Sequence, residues 1–518
     1  MTVKITLLSH ACLLVETPNV KFATDPWIVG PAFASGWLST KVPPVNWKKI
    51  INDVDFIYMS HNHNDHLNEF TLKYINKDMK FIVPDFKTKS VERPLNNLGF
   101  QNIVAIKPKK TYVEKDCVFN IYQSGDDRDD SGLLMGYKGF KFLTSVDSVN
   151  LNKGNLPKKV TVYASSFAGG SSGFPLMFER MVQTPILLKE EDEEKKNEKK
   201  SKTEIKKEKE FATEVQRVIK DNEQRKKAIL LQNLQTLKAE VKKTIYNTKA
   251  QFYLPYAGFY KVDNDYVTAN DILLKPTDYK YKGLSISDDG IYEEEPYEYY
   301  KYQLLDTSEF DSFEFKVASP VNLNYQVKES KIKRKLEKRT ELIHHGSPFL
   351  KYTKMHIRLH HQNFNGYFKK IKDYFLNSKF QHNLILYLTL CRQDNKFNYP
   401  AHYYVIDFRK TTPTVANHYY DYNSSRNAKK FYDILMSETK EENKRIRKYN
   451  LENPKKKSIK EIHILKLRIK LGSLMYVINN KRPLEDIITG YQCVVDREPN
   501  DFKVDKRFWY HFSNIYTG

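Results

Sequence analysis

The stretch Ser60-His61-Asn62-His63-Asn64-Asp65-His66 directly follows the apolar run Phe56-Ile57-Tyr58-Met59. The apolar run predicts a short buried strand, and the polar stretch then forms the loop that leaves it. Three imidazoles and one carboxylate lie within six residues, in the pattern H-x-H-x-D-H. Because a tight turn reverses the side-chain direction, we predict that His61 and His63 bind one metal ion and that Asp65 and His66 face a second.

Few further histidines are available nearby, since the next one after His66 is His344. The metal site is therefore either completed by carboxylates or incomplete. Candidate ligands are Asp147, at the end of the predicted strand that includes residues 143–146, and Asp126 in the acidic cluster 126–130. A solvated turn is the alternative interpretation of that cluster. Carboxylate ligands shift the preference from zinc toward harder, redox-active metals such as iron or manganese.

The composition is that of a globular protein, because 40% of the 518 residues are hydrophobic and 13% are aromatic. No run of 18 apolar residues occurs, and the N-terminus alternates into a strand, so a soluble cytoplasmic protein without a membrane span is expected. The four cysteines are far apart and form no C-x-x-C pair. This spacing argues against an iron-sulfur centre or a local cysteine-based metal site in this chain.

The charge balance is strongly basic, with 85 Lys and Arg against 63 Asp and Glu, a net charge of +22. An excess of this size suits an anionic partner. Lysine is nevertheless spread over every segment, as on an ordinary solvated surface. A small anionic substrate is therefore favoured over nucleic acid.

Sequence patterns predict how the chain is organised. Short apolar runs separated by Pro and Asn in the first 150 residues predict a sheet-rich layered fold. In residues 189–210, 18 of 22 residues are charged, so an exposed insertion is predicted over about residues 185–225. The helical spacing of four apolar residues then predicts a packed amphipathic helix. These residues are Leu230, Leu234, Leu237 and Val241.

The C-terminal half shows weaker signals. Apolar runs at residues 383–390 and 402–408 predict strands, and the segment 462–471 is predicted to belong to a helical portion. We therefore predict two regions: a metal-binding domain over residues 1–275 and an α+β region over residues 276–518.

The loop motif, together with Ser9-His10-Ala11 and Thr24-Asp25-Pro26-Trp27, resembles the metallo-beta-lactamase superfamily. This resemblance implies an α/β fold with four αββα layers. Within the superfamily, three further stretches resemble the CMP-N-acetylneuraminic acid hydroxylase family. They are residues 25–33, 167–175 and 256–259.

The resemblance to this family implies an iron-dependent monooxygenase that acts on an anionic small molecule such as a nucleotide-sugar. One or two iron ions are expected, with zinc or manganese as alternatives. His10, Asp25 and Asp65 are the implied catalytic groups, with His10 and Asp25 orienting the ligand imidazoles. The chain begins directly in the metallo-beta-lactamase part, so electrons are expected from a separate Rieske, ferredoxin or cytochrome type of protein.

Substrate contacts are expected from a glycine-rich run and from one aromatic residue that follows it in sequence. The run exposes backbone N–H groups that suit a phosphate or carboxylate, although a structural turn needs no ligand. The residues concerned are Gly169, Gly170, Ser171, Ser172 and Tyr256.

Two departures from the family pattern are Asp126, where the family has a histidine, and Ser166, where it has an acidic residue. Two alternative functions remain open. The first is a metal-dependent hydrolase of a phosphodiester, ester or amide, because the same ligand framework can lower the pKa of a bound water. The second is a binding protein with a decayed metal site.

Overall fold

The computed structural model describes residues 1–125, 129–148, 150–168, 202–262, 274–279, 285–287, 290–292, 300–319, 323–335, 370, 373, 383–391, 402–409, 414–419 and 424–499. The chain divides into two compact units. Unit 1 comprises Met1–Ser172, Gln232–Asn264 and Asn270–Pro348. Unit 2 comprises Gly173–Leu231, Asp265–Ala269 and Phe349–Gly518.

Unit 1 is built from two large mixed sheets and two short ribbons. Its strands are β1 (Thr2–Leu7), β2 (Leu13–Glu16), β3 (Lys21–Thr24), β4 (Trp37–Ser39), β5 (Phe56–Tyr58), β6 (Phe81–Pro84), β7 (Ile103–Ile106), β8 (Thr111–Glu114), β9 (Cys117–Gln123), β10 (Ser131–Tyr137), β11 (Phe140–Val146), β12 (Val162–Ser166), β13 (Phe252–Tyr256), β14 (Tyr260–Val262), β15 (Ser285–Ser287), β16 (Gly290–Tyr292), β17 (Gln303–Leu304), β18 (Ser312–Ser319) and β19 (Asn324–Ser330). The first sheet has the order β19-β18-β1-β2-β3-β5-β6-β7, and the second has the order β17-β13-β12-β11-β10-β9-β8. The ribbons pair β14 with β4 and β15 with β16.

The two sheets share one apolar core. On β1, Val3, Ile5 and Leu7 alternate along the strand and belong to the same buried cluster as Phe119 and Phe142 of the second sheet. This period-two pattern is what a strand with one face toward a core requires. The sheets therefore form the two inner layers of the fold.

Helices cover the outer faces of both sheets. They are α1 (Trp47–Asn52), α2 (Glu69–Leu72), α3 (Glu92–Asn97) and α4 (Lys202–Thr248). Trp47, Leu72 and Leu95 of the first three helices pack in one cluster with Ile57 of the first sheet. On the second sheet, Tyr163 lies beside Thr244 of α4. This arrangement is the αββα metallo-beta-lactamase fold, as predicted.

The charged insertion and the amphipathic helix both lie within or next to α4. The helix begins at Lys202, so residues 202–225 of the predicted insertion are helical. Its side chains at positions 213 and 217 are exposed. Further along α4, Leu234, Leu237 and Val241 are buried, as the helical spacing predicts. Residues 185–201 of the predicted insertion lie outside the described residues.

The structural division differs from the predicted boundary at residue 275. Three strands that follow this boundary complete the two sheets of unit 1. Strand β18 pairs antiparallel with β1, with Val3 opposite Phe315, and β19 extends the same sheet. Strand β17 joins β13 in the second sheet. Pairing between segments some 300 residues apart in sequence, such as β1 and β18, leaves no local pattern in the sequence.

Unit 2 contains a five-stranded sheet with the order β22-β21-β20-β23-β24. Its elements are β20 (Leu384–Cys391), β21 (His402–Asp407), β22 (Thr414–Tyr419), α5 (Ser424–Glu452), β23 (His463–Lys470), α6 (Leu471–Asn479), α7 (Glu485–Thr489) and β24 (Cys493–Glu498). The strands predicted near residues 383–390 and 402–408 are present. The predicted helix over residues 462–471 is wrong: this segment forms β23, which pairs parallel with β20. None of the described helices is both long and apolar enough to cross a bilayer.

Candidate metal centre

The histidine loop is anchored to the end of a neighbouring strand. Strands β3 and β5 run parallel, with Thr24 opposite Tyr58, so the residues that follow them meet at one edge of the sheet. The Asp25 N–H donates to the Tyr58 carbonyl at 3.0 Å. In return, the Ser60 N–H donates to Asp25 Oδ1 at 2.8 Å. These two hydrogen bonds fix the loop where the metal ligands begin.

One candidate metal cluster consists of His10, Asp65 and His66, whose ligand atoms lie within 4.8 Å of one another. Asp65 Oδ2 lies 3.2 Å from His10 Nε2 and 3.4 Å from His66 Nε2. All three side chains are buried. His10 is held there because the Ala257 N–H donates to its carbonyl at 2.8 Å. The position of His10 therefore makes it a candidate ligand as well as an orienting group.

A second candidate cluster consists of His61, His63 and Asp147, again with ligand atoms within 4.8 Å. The rings of His61 and His63 are 4.5 Å apart between centroids. The two clusters are adjacent, since His66 Nε2 lies 3.3 Å from Asp147 Oδ2. Residues separated by more than 80 positions in sequence thus form one continuous set of imidazoles and carboxylates.

Asp147 is turned toward the histidines by an irregular strand end. The pairing of β11 with β12 shifts register between Thr144 and Val146. Val146 has a φ of 53°, in the left-handed region that costs a non-glycine residue roughly 1–3 kcal/mol. The Asp147 side chain is 27% exposed, whereas those of His66 and Asp65 are at most 4% exposed. The site therefore opens to solvent beside Asp147.

His61 is oriented by groups that the sequence analysis did not assign. Ser60 Oγ lies 2.9 Å from His61 Nδ1. Asp130 Oδ1, which accepts the Ser131 N–H at 2.7 Å, lies 3.5 Å from the same nitrogen. With Nδ1 engaged in this way, Nε2 is the nitrogen that faces a metal. Ser60 belongs to the loop motif, so its position directly before His61 was the sequence signal that could have indicated this role.

Only part of the predicted acidic cluster reaches the centre in the described residues. Asp130 does so, as its distance from His61 shows. The predicted ligand Asp126 lies outside the described residues. The departure at Ser166 has a local explanation, because its hydroxyl donates to the Ala257 carbonyl at 2.8 Å. This bond links the ends of β12 and β13 beside His10.

The charges of the centre are mutually dependent. Burial opposes ionisation of Asp65, but the neighbouring imidazoles of His66 and His10 lower its pKa well below the ordinary value. Burial likewise opposes a charge on His66, but the carboxylates of Asp65 and Asp147 raise its pKa well above the ordinary value. The same carboxylates that stabilise a proton on His66 also suit a metal cation.

Unsatisfied buried atoms test whether the residues fit a metal. Buried polar atoms are normally hydrogen-bonded, and exceptions point to an ion or another missing partner. Within the described part of the chain, several atoms of the centre have no hydrogen bond although carboxylates or imidazoles lie nearby. They are His10 Nδ1, Asp25 Oδ2, Asp65 Oδ1, His66 Nδ1 and His66 Nε2. The donor set of imidazole nitrogens and carboxylate oxygens therefore fits a bound cation.

Aromatic side chains enclose one side of the centre. The ring of His10 lies 5.0 Å from that of Trp27 and 5.7 Å from that of Tyr260, between centroids. Tyr260 stacks on Trp37 at 3.8 Å. Phe33 lies 5.9 Å from His63. These buried rings exclude water from that side, which strengthens electrostatic interactions within the centre. The sequence alone did not indicate that these rings line the centre.

The predicted substrate residues are placed differently or lie outside the described part. Gly169, Gly170, Ser171 and Ser172 lie outside the described residues. Tyr256 is fully buried, and its hydroxyl is hydrogen-bonded to the Thr144 hydroxyl. This contact joins β13 to β11 beneath the metal centre.

The buried hydroxyl of Tyr256 provides a first prediction. We expect Tyr256→Phe to lower the free energy of unfolding by about 1 kcal/mol, because the Thr144 hydroxyl loses one of its two partners and keeps the Val146 N–H. Urea denaturation measures this loss, and a Tyr256→Phe, Thr144→Val double variant should recover part of it. Bound metal should be unchanged. A loss of metal from Tyr256→Phe would contradict a purely structural role.

Parts of the chain are similar to a protein family, to curated proteins and to solved structures. Residues 4–151 match the model of the beta-lactamase superfamily domain. The cytidine monophosphate-N-acetylneuraminic acid hydroxylase of Mus musculus is 38% identical over 188 residues, covering 34% of this chain and 32% of the relative. The hydroxylase of Asterias rubens is 40% identical over 183 residues, covering 34% of this chain and 28% of the relative. The chain thus spans about a third of the length of the curated relatives that it matches.

Solved structures with a similar fold have low similarity scores. Isothiocyanate hydrolase from Delia radicum gut bacteria has a TM-score of 0.24 and 18% identity, covering 27% of this chain and 61% of the other. CmlA, a diiron beta-hydroxylase from Streptomyces venezuelae, has a TM-score of 0.29 and 15% identity, covering 49% of this chain and 44% of CmlA.

Proposed function

We propose that this chain, in which residues 4–151 form a metallo-beta-lactamase superfamily domain, is a metal-dependent hydroxylase acting on an anionic small molecule such as CMP-N-acetylneuraminate. The observation that carries the proposal is the 38% identity over 188 residues to a hydroxylase of this nucleotide-sugar. Iron bound in the centre would supply activation of dioxygen for insertion into a substrate C–H bond.

The residues of the two clusters support iron as the metal. In this proposal His61, His63 and Asp147 hold one ion, and His10, Asp65 and His66 hold a second or orient the first. Carboxylates form part of both sets, and a mixed set of imidazoles and carboxylates suits iron or manganese. Zinc remains compatible with the same atoms.

The exposure of the ligands supports a direction of substrate approach. Asp147 and His63 are partly exposed, whereas His10 and His66 are buried. A substrate would therefore approach beside Asp147 and His63. Trp27, which is fully buried against His10, keeps water from the opposite side. Asp25 would hold His66 from behind, since Asp25 Oδ2 lies 3.4 Å from His66 Nδ1.

Electrons for the hydroxylation would come from a separate protein of Rieske, ferredoxin or cytochrome type. The net charge of +22 suits both an anionic nucleotide-sugar and an acidic electron carrier.

The experiment that tests the proposed function begins with protein purified without added metal. Elemental analysis by mass spectrometry is expected to find one or two equivalents of iron, and the visible spectrum should change on anaerobic reduction. Incubation with CMP-N-acetylneuraminate, dioxygen and a reduced electron carrier should then give a product heavier by one oxygen atom. Zinc or manganese with no spectral change and no such product would contradict the proposal.

A hydrolase is the second candidate, and the contact between the two clusters favours it. Two metal ions held side by side are used by many hydrolases to activate water, and His66 Nε2 lies only 3.3 Å from Asp147 Oδ2. The discriminating measurement is turnover of phosphodiester, ester and amide substrates without oxygen or reductant. Hydrolysis under these conditions would replace the hydroxylase proposal.

Asp147 provides a second prediction. We expect Asp147→Asn to weaken metal binding at least tenfold, because a neutral amide replaces the carboxylate that lies beside His66 and completes the cluster of His61 and His63. Its partial exposure should keep the change in unfolding free energy below about 1 kcal/mol. Competition with a chromophoric chelator measures the affinity. An unchanged affinity would exclude Asp147 as a ligand.

A further inference from the structure

Unit 2 presents a second group of polar side chains, on its five-stranded sheet. Strands β20 and β23 are parallel neighbours, with Thr389 directly beside Arg468. Neighbouring residues in register point to the same face of a sheet. Both residues lie near the carboxyl ends of their strands, which is where open α/β sheets commonly bind ligands.

The face that carries Thr389 and Arg468 has an apolar half and a polar half. In the apolar half, four buried residues of the sheet pack against Leu435 and Met436 of α5. These residues are Ile385, Tyr387, Val405 and Ile464. The same face becomes polar further along the two strands, at Thr389 two residues after Tyr387 and at Arg468 four residues after Ile464. The change occurs within one face, so it does not reflect a simple boundary between core and surface.

Arg468 is buried without a partner among the described residues. It is only 7% exposed, yet no carboxylate pairs with its guanidinium there and its Nε has no hydrogen bond. A buried cation of this kind is costly unless an anion compensates it. On its other side Arg468 pairs in register with Val494 of β24.

Two further groups add to the polar half of the face. Thr389 is 5% exposed, and its hydroxyl also has no hydrogen bond partner in the part of the chain that the structure describes. Lys470, two residues after Arg468 on β23, is 4% exposed, and its ammonium donates to Gln492 Oε1 at 3.1 Å. A guanidinium, a hydroxyl and a second positive charge are therefore close together at one strand end.

We propose that Arg468, Thr389 and Lys470 form a binding site for a phosphate group, separate from the metal centre of unit 1. The guanidinium provides parallel N–H donors that match phosphate oxygens, and the hydroxyl provides a further donor. Two positive charges favour a doubly charged phosphate over a single carboxylate. Unit 2 would then bind phosphate whichever reaction the metal centre of unit 1 performs.

The test is thermal unfolding of the full chain with and without inorganic phosphate, at equal ionic strength in sodium chloride. We expect phosphate to raise the Tm saturably, by a few degrees, because it binds only the folded state. Arg468→Met should abolish this rise. Its Tm without phosphate should be no lower than that of the wild type, since the variant removes an unpaired buried charge.

Matched variants separate this site from general charge effects and from the metal centre. Lys466→Met removes a positive charge from the same strand and face, beside Tyr387, and should leave the phosphate response unchanged. A His61→Ala, His63→Ala variant should respond to phosphate like the wild type. Loss of the response there would place the phosphate at the metal centre and overturn the proposal.

Calorimetric titration with phosphate keeps the proposal testable if Arg468→Met does not fold. Thr389→Val should then weaken phosphate binding at least threefold, because a donor to the anion is lost. No binding to the wild type, or equal binding by wild type, Arg468→Met and Thr389→Val, would overturn the proposal. A response to citrate but not to phosphate would also overturn it, in favour of a carboxylate ligand.

Discussion

A His61→Ala, His63→Ala double variant is expected to bind metal at least 100-fold more weakly than the wild type while retaining its fold. Loss of a group that merely orients a ligand typically costs about 10–100-fold in affinity, so loss of two direct ligands should cost more. Only the His10, Asp65 and His66 cluster would remain intact. Elemental analysis measures the bound metal, and circular dichroism measures the fold.

The control for this variant is His463→Ala, which removes an imidazole from β23 in unit 2. It should leave the metal content of the protein unchanged. If the double variant retains full metal content, His61 and His63 are not the ligands that hold the ion. If neither the wild type nor the variant ever holds metal, both the hydroxylase and the hydrolase proposals fail, and a binding protein with a decayed site becomes the explanation.

An Asp25→Ala variant is expected to be destabilised by about 3 kcal/mol, since a buried hydrogen bond is lost and a strained backbone conformation remains. The Ser60 N–H would lose its acceptor, which now lies at 2.8 Å. Asp25 also has a φ of 35°, a conformation that Asp and Asn tolerate better than Ala. Urea denaturation of chelator-treated protein measures this loss without any contribution from bound metal.

Asp25→Asn separates the structural role of this residue from its effect on the metal centre. The amide oxygen can still accept the Ser60 N–H and tolerates the same φ, so we expect a loss of only about 1 kcal/mol. Metal affinity should nevertheless fall about 10–100-fold, because the carboxylate beside His66 Nδ1 is replaced by a neutral group. Unchanged metal affinity in Asp25→Asn would show that Asp25 acts on stability alone.

Those parts of the candidate centre that are local in sequence could be predicted from the sequence. His61, His63, Asp65 and His66 stand in one loop, and an apolar strand before a polar loop is a pattern that a single sequence displays. Asp147 could be proposed for the same reason, as a carboxylate at the end of a predicted strand. The segment 462–471 was assigned wrongly, although its residues alternate, because short apolar stretches fit a helix or a strand almost equally well.

Other features depend on contacts between distant parts of the chain. The cluster of His10 with Asp65 and His66 requires the loop after β1 to meet the loop after β5, and Ala257 after β13 holds it there. The completion of the first sheet by β18 joins residues near the N-terminus to residues beyond 311. Such pairing depends on the total packing of the core, and no short window of sequence contains it.

The amino-acid sequence alone therefore specified the type of centre: a loop of imidazoles and a carboxylate after a buried strand, in a layered α/β fold. The sequence also predicted that these ligands divide between two metal ions. Tertiary structure alone showed how close the two clusters lie, that His10 joins one of them, and that the opening lies beside Asp147. It also revealed the unpaired Arg468 beside Thr389. The physical reason is that ligand chemistry is a property of individual side chains, whereas distance, burial and the lack of a partner arise only when distant segments pack together.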